Sequence, residues 1–327
     1  MFQMENSAKK KVESVAKKTT ANANEGQNPS RPMTPADLVQ SKANANSTLK
    51  KMKQLVSANK LIEAGAHIGL NPRKWNPKMK HFIYAKRSNN HVIDIVKSLN
   101  YLNRAFTFLE ELTKSGGRVL IVGTNGELVK DLIQKEARRA KAFHVTQRWL
   151  GGTLTNFKNI TKSINKLNDN INLIKSGEIQ KYTKKEQIAI KKETDKLSKF
   201  YGGIRTMRKL PQALIVMDPI LDKNAVIEAR KLNIPVIALA NTNANPDMID
   251  YIIPINNNSF RTMWLVLSVL VDAITSASNE ATKIVGKTDE EIILPETMRR
   301  KRTFIPGQSE TNNQTPVKNE VKEEKTK

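Results

Sequence analysis

Apolar residues in the middle of the chain fall in short runs without alternation. RVLIVGT at 118–124, FHVTQ at 143–147, ALIVMD at 213–218, PVIALAN at 235–241 and YIIPIN at 251–256 are apolar on successive positions. A strand with one solvated face alternates. A strand apolar on both faces is covered on both, as in a parallel sheet between helices. Helical patterns separate the runs: from Thr124 through Arg139, NAVIEARKL at 224–232, and about 259–276. This alternation predicts an α/β fold, doubly wound in the flavodoxin or Rossmann manner, with a mostly parallel sheet.

One segment breaks the rhythm. Phe157, Ile160, Ile164, Leu167, Ile171 and Ile174 are spaced 3, 4, 3, 4, 3, a heptad seam. Ser176-Gly177 carries helix-stopping chemistry, and Thr183-Lys184-Lys185-Glu186 is a capping box that opens a second arm. Ile190, Leu197 and Phe200 continue the seam until Gly202-Gly203. An antiparallel coiled-coil hairpin is therefore expected over 155–203, inserted between the second and third strands. Its seam can be buried within the hairpin itself.

The ends differ from the middle. Residues 1–48 are rich in Lys, Asn, Ala, Ser, Thr and Pro with few large apolar side chains, and 311–327 resemble them. Such segments bury too little surface to offset chain entropy. The expected organisation is a disordered basic extension at 1–48, an α/β domain from 49–154 and 204–280, the inserted hairpin, and a largely disordered tail at 281–327. The longest apolar stretch, 263–274, is too short for a bilayer, and the N-terminus MFQMENSAKKKVESVAKK has no secretory pattern. A soluble cytoplasmic protein is the expectation.

Charge then narrows the function. Lys and Arg total 55 against 31 Asp and Glu, a net +24. Such a surface attracts polyanions, of which nucleic acid is the commonest in cytoplasm. No basic amphipathic helix or lipidation signal supports a membrane partner instead. The absence of cysteine excludes disulfides, thiolate metal sites and thiol nucleophiles.

The sharpest charge cluster is Arg73, Lys74, Lys78, Lys80, Lys86 and Arg87, six cations with no acid among them and with Trp75 and Tyr84 interleaved. Phosphate contact by the cations, with stacking by an aromatic ring, is the RNA-binding reading, a solvated loop is the alternative, and the family resemblance given below favours the first. Trp75, beside the Asn76-Pro77 turn, is expected to pack into the core. Arg148, which precedes Trp149-Leu150-Gly151-Gly152, and Lys158, at the start of the first hairpin arm, are further RNA candidates. Gly151 and Gly152 are assigned to a sharp exit into the hairpin. Gly123-Thr124-Asn125-Gly126 lies where phosphate loops sit, yet matches neither G-x-G-x-x-G nor a Walker sequence. A tight turn is the favoured reading. Asp218, Asp222, Asp247 and Asp250 lie near strand ends without a His partner nearby, and read as turn formers and caps. His67, His81, His91 and His144 show no ligand spacing. Neither a catalytic residue, a metal site nor a cofactor is expected.

Three segments resemble a known family. AGAHIGLNPRKWNPKMKHFIYAKRSNNHVIDI (64–95), QRWLGGTLTNFKNI (147–160) and LPQALIVMDPILDKNAVIEARKLNIPVIALANTNANP (210–246) are similar, in order and separation, to the hallmarks of the small-subunit ribosomal protein S-two family. The resemblance covers about 49–277. It implies an α/β domain with an inserted coiled-coil hairpin and no enzymatic activity. It also implies a structural role in translation, on the solvent side of the small subunit at the head–body junction. The implied partners are small-subunit ribosomal RNA and neighbouring ribosomal proteins, among them ribosomal protein S-one, with neither DNA nor membrane involved. The alternative is a sugar-phosphate-binding, isomerase-like α/β protein using the Gly123 loop, which would leave the charge and hairpin without a role. The chain departs from the family where Leu70 replaces a second His and Asn241 replaces an Asp, so a paired-histidine metal site is not expected. The N-terminal extension lies outside the resemblance.

Overall fold

The computed structural model describes residues 55–277 and 281–295. The expected disorder of 1–48, and that of the tail beyond 295, lies outside the described residues.

The chain enters through helix α1 (Ala58–Glu63), whose N-cap Ser57 accepts a hydrogen bond from the Lys60 N–H at 3.1 Å. Two short 3-10 turns lead to a ribbon of β1 (Ile83–Arg87) and β2 (Asn90–Ile93), paired antiparallel. Asp94 then caps α2 (Ile95–Lys114), accepting from Val96 and Lys97 N–H at 3.1 and 3.3 Å. After it come β3 (Val119–Val122), α3 (Glu127–Arg139) and β4 (Phe143–Val145). The hairpin helices are α4 (Phe157–Lys175) and α5 (Lys184–Tyr201). The sheet resumes with β5 (Ala213–Val216), α6 (Lys223–Lys231), β6 (Val236–Ala240), β7 (Tyr251–Pro254) and α7 (Phe260–Ala277).

Five of these strands form one parallel sheet in the order β4-β3-β5-β6-β7. This is the doubly wound topology expected from the apolar runs. The runs are apolar throughout because successive residues feed two separate layers. Val119, Ile121, Ile215, Ile237 and Ile253 face a core built with α2, α3 and α7. Leu120, Val122, Leu214, Val216, Val236 and Ile252 face a second core that holds α6, the basic loop and the root of the hairpin. By length and composition α7 could cross a membrane, but 72% of its apolar window is buried inside the protein. It is a core helix.

The capping box forms as expected: Glu186 N–H donates to Thr183 Oγ1, and Thr183 N–H donates to Glu186 Oε2 at 3.0 Å. Gly177 adopts φ 76°, the left-handed conformation that ends α4. The seam differs from the expectation. Ile160 and Ile164 belong to the second core layer, whereas Leu167 is buried outside it and Ile171 and Ile174 are only half-buried. The hairpin is tight at its root, shared with the domain there, and looser outward. Its return leg docks on edge strand β4. There Gly203 approaches so closely that a Cβ would lie 2.1 Å from the His144 carbonyl oxygen.

The boundary expected at 281 is not where the fold ends. Ile284, Val285 and Ile292 are buried in the first core layer. Asp272 on α7, itself fully buried, fastens this strap by accepting from the N–H groups of Lys283, Ile284 and Val285 at 2.9, 2.6 and 2.9 Å. Arg139 pairs with Asp272 at 2.5 Å and with Glu136 at 2.8 Å, and Lys283 reaches Glu136 at 2.6 Å. Paired charges in that number satisfy a buried site that a lone carboxylate could not.

Candidate nucleic-acid interface

The basic loop is a scaffolded surface. Asn71 and Asn76 each cap a short turn, Pro72–Lys74 and Pro77–Phe82, accepting from Arg73 and Lys78 N–H at 2.9 and 3.0 Å. Proline at the first position of each turn presets φ and removes a donor that would go unpaired. Met79 and Phe82 sink into the second core layer, at 1% and 8% exposure. The loop is also tied to the turn after β6: Leu70 N–H donates to Thr242 Oγ1 at 3.1 Å and Asn76 N–H to the Thr242 carbonyl at 2.8 Å. Gly69 permits that seating, since a Cβ would meet Thr242 Cγ2 at 2.8 Å.

Held this way, Arg73, Lys74, Lys78, Lys80, Lys86 and Arg87 are all exposed. Lys78 forms an ion pair with Asp247, also exposed. No ion pair involves the other five among the described residues. β1 is exposed on both faces from Tyr84 to Arg87, which a two-stranded ribbon does not do for its own stability. The aromatic assignment changes. Trp75, expected in the core, is half-buried against His91, with ring centroids 5.2 Å apart. Tyr84 is 77% exposed, leaving its ring face open for stacking. Burial, with Lys86 adding to it, holds the His91 imidazole below the usual histidine range. His91 is therefore neutral at pH 7 and adds no charge to the patch.

Arg148 and Lys158 are exposed at the hairpin root. Trp149, Leu154 and Ile160 lie in the same apolar layer as Met79 and Phe82, so root and loop are on one side of the sheet. The root is held by Glu228 of α6, a residue the sequence patterns did not single out. Its carboxylate, 8% exposed, accepts from Trp149 Nε1 at 2.9 Å, Gly152 N at 2.8 Å, Leu154 N at 3.0 Å, and Thr155 N and Oγ1 at 3.2 Å. Burial pushes its pKa up, but the hydrogen bonds from Trp149 and the three backbone N–H groups outweigh that and leave it lowered. The available signal was an acid on the apolar face of α6, beside Ala225 and Ala229.

The Gly123 loop is closed. Thr124 donates through N–H at 3.3 Å and Oγ1 at 2.9 Å to Asp222, so a protein carboxylate takes the donors that a phosphate would use. Asp218 accepts from Ile220 and Leu221 N–H, a turn role as expected. Burial raises the Asp222 pKa to about 6, against the opposing bonds from Thr124, with nearby Asp218 adding to the rise. No group of three or more His, Cys, Asp or Glu suited to a metal occurs among the described residues.

Comparison with known proteins adds to this geometry. The family model described as "Ribosomal protein S2" matches residues 61–277, well over half of the chain. A Ureaplasma urealyticum serovar 10 protein named small ribosomal subunit protein uS2 is 61% identical over 297 residues, covering 91% of this chain and 84% of its own. Proteins of the same name from Malacoplasma penetrans and Mycoplasmoides gallisepticum are 50% and 46% identical, over 85% and 83% of this chain. The 297-residue alignment is longer than the family match, so it extends into sequence flanking the family region. The chain belongs to the ribosomal protein S2 family.

Proposed function

We propose that this protein is a non-enzymatic structural constituent of the small ribosomal subunit in the cytoplasm, binding ribosomal RNA through the cations of the loop at 72–87 together with Arg148 and Lys158. Family membership supports the ribosomal role. The observation that carries the RNA contact is the loop itself: four exposed cations on its two turns and two on β1, on a frame pinned by Met79 and Phe82. A loop fixed beforehand loses little conformational entropy on binding, so phosphate contacts are not spent on ordering it. By analogy with the family, the site of attachment is the solvent side of the head–body junction, and neighbouring proteins include ribosomal protein S-one.

The test is sedimentation of a tagged full-length chain through sucrose gradients. Co-migration with small subunits at low salt, disappearing as salt rises, is the expected result. A protein found only in the free fraction at low salt would overturn the reading.

A further inference from the structure

A second concentration of positive charge lies away from the loop, where the return leg of the hairpin rejoins the sheet. A cavity of about 650 Å³ opens between α3, edge strand β4 and the last turn of α5. Its size falls within the roughly 300–1,000 Å³ of small-ligand sites, enough for a nucleotide-sized group. Arg118, Arg138, Lys141 and Lys199 line it, all four exposed or half-exposed, and no Asp or Glu does. They come from the residue before β3, the end of α3, the turn after it and the last turn of α5, so no single helix face explains the grouping.

Helix dipoles and nearby acids do not cancel this charge. The cavity receives the C-terminal ends of α3 and α5, where cations serve the helix dipole. Each helix end carries only about half a negative charge, so even against Arg118, Arg138 and Lys199 alone two ends offset about one cation of three. A net positive field remains. The acid that bears on Lys199 is Glu127, which Lys130 holds at 2.8 Å. His144 in the cavity wall does not add charge, because burial and then Arg138 keep its ring below the usual histidine range. Arg118, Arg138 and Lys199 make no ion pair among the described residues. The walls are also fixed in place: the Gly202–Ile204 turn is seated on β4 through Gly203. Shape and net charge are thus both in place before any ligand arrives.

We infer that this cavity is a second RNA contact, taking a nucleotide-length stretch of phosphodiester backbone at the hairpin root. The inference rests on the RNA-binding reading above. Phosphate oxygens would accept from the guanidinium groups of Arg118 and Arg138 and the ammonium group of Lys199, with no base reading required. The hairpin would then meet RNA on both legs of its base, near Arg148 and Lys158 and at this cavity.

The test measures binding of the full chain to small subunits stripped of this protein, as log affinity against log salt. Arg118→Gln/Arg138→Gln/Lys199→Gln should flatten the slope by about 2 to 3, since each neutralised phosphate contributes about 0.9. An unchanged slope, while removal of the cations at 73–80 still flattens it, overturns the cavity alone. Unchanged slopes for both variants overturn the RNA reading together with it. Should the triple variant melt early, Lys199→Gln on its helix position is read instead, with a flattening of about 1 expected and none overturning the inference. A photo-crosslinking residue at Ser198 should attach to ribosomal RNA. Attachment to protein alone would assign the cavity to an acidic protein surface and overturn the inference.

Discussion

The basic loop and the helical hairpin both project charge from the same side of the sheet, and they are held in opposite ways. The loop has no seam of its own. Met79, Phe82 and the bonds to Thr242 pin it to the domain, and among the described residues its six cations have one acid partner, Asp247. The hairpin carries a seam of its own beyond its root and offsets part of its charge itself: 11 Lys against 5 acids between 156 and 201, a net +6, with Lys166 paired to Glu193 across the arms. Charge that a protein leaves unneutralised on a rigid frame is available to a partner. Charge spread along a helix pair serves first to solvate and register the pair. The loop is thus the better marker of the proposed RNA interface, although the hairpin is the larger projection.

The comparison breaks first at the hairpin root. Excising 155–201 with a short glycine bridge removes Ile160 and Ile164 from the second core layer, and each such deletion costs about 2 to 5 kcal/mol. The excised protein should lose cooperative urea unfolding, whereas trimming only the outer turns, from about 169 to 192, should retain it. Cooperative unfolding of the full excision at the wild-type midpoint would show the hairpin to be independent of the core. Glu228→Ala should come next, destabilising by about 3 to 5 kcal/mol, because five donors at 149–155 lose their acceptor in a buried place. Glu228→Gln retains one carbonyl oxygen and should cost less. Equal costs would mean that volume, not acceptance, is what Glu228 supplies.

Away from both projections, Asp222 sets a pH dependence. Its folded pKa of about 6 lies above the ordinary 3.8, so the folded state holds a proton that the unfolded state releases. That stabilisation is full below about 3.8 and is lost as pH rises through 6, about 3 kcal/mol at 1.36 kcal/mol per unit. Asp222→Asn should flatten stability between pH 4 and 6. An unaltered pH profile in chemical denaturation would place the titration elsewhere. The smallest effect concerns Trp75. Half-buried against His91, it should cost about 1 to 2 kcal/mol on change to Ala, less than a core indole would. A cost of about 4 kcal/mol or more in thermal melting would return it to the core.

Much of this was legible in the sequence for a physical reason. The sheet strands are apolar at every position because each residue meets one of two cores, and the hairpin announces itself by heptad spacing and by Thr183 with Glu186. The loop cations could be read directly as charge without acid. What escaped depends on pairings distant along the chain. Glu228 meets Trp149 across 79 positions, and Asp272 fastens 283–285 by accepting backbone N–H groups that have no side-chain signature. The ribbon of β1 and β2 is too short to show a period, and the exposure of β1 on both faces from Tyr84 to Arg87 suits a surface made for a partner. Sharing of Ile160 and Ile164 with the domain is invisible to periodicity, because a seam residue repeats alike whether its neighbour is the other arm or the core.

The most direct measurement is the salt dependence of binding to small subunits lacking this protein, for the wild type and for Arg73→Gln/Lys74→Gln/Lys78→Gln/Lys80→Gln. Exposed cations contribute within about half a kcal/mol each to folding, so the melting temperature should stay nearly unchanged. The slope of log affinity against log salt should flatten by about 3 to 4, at about 0.9 for each phosphate that the variant no longer neutralises. A slope identical to the wild type, or a variant that unfolds before it can be tested for binding, would contradict the assignment of the loop's charge to RNA.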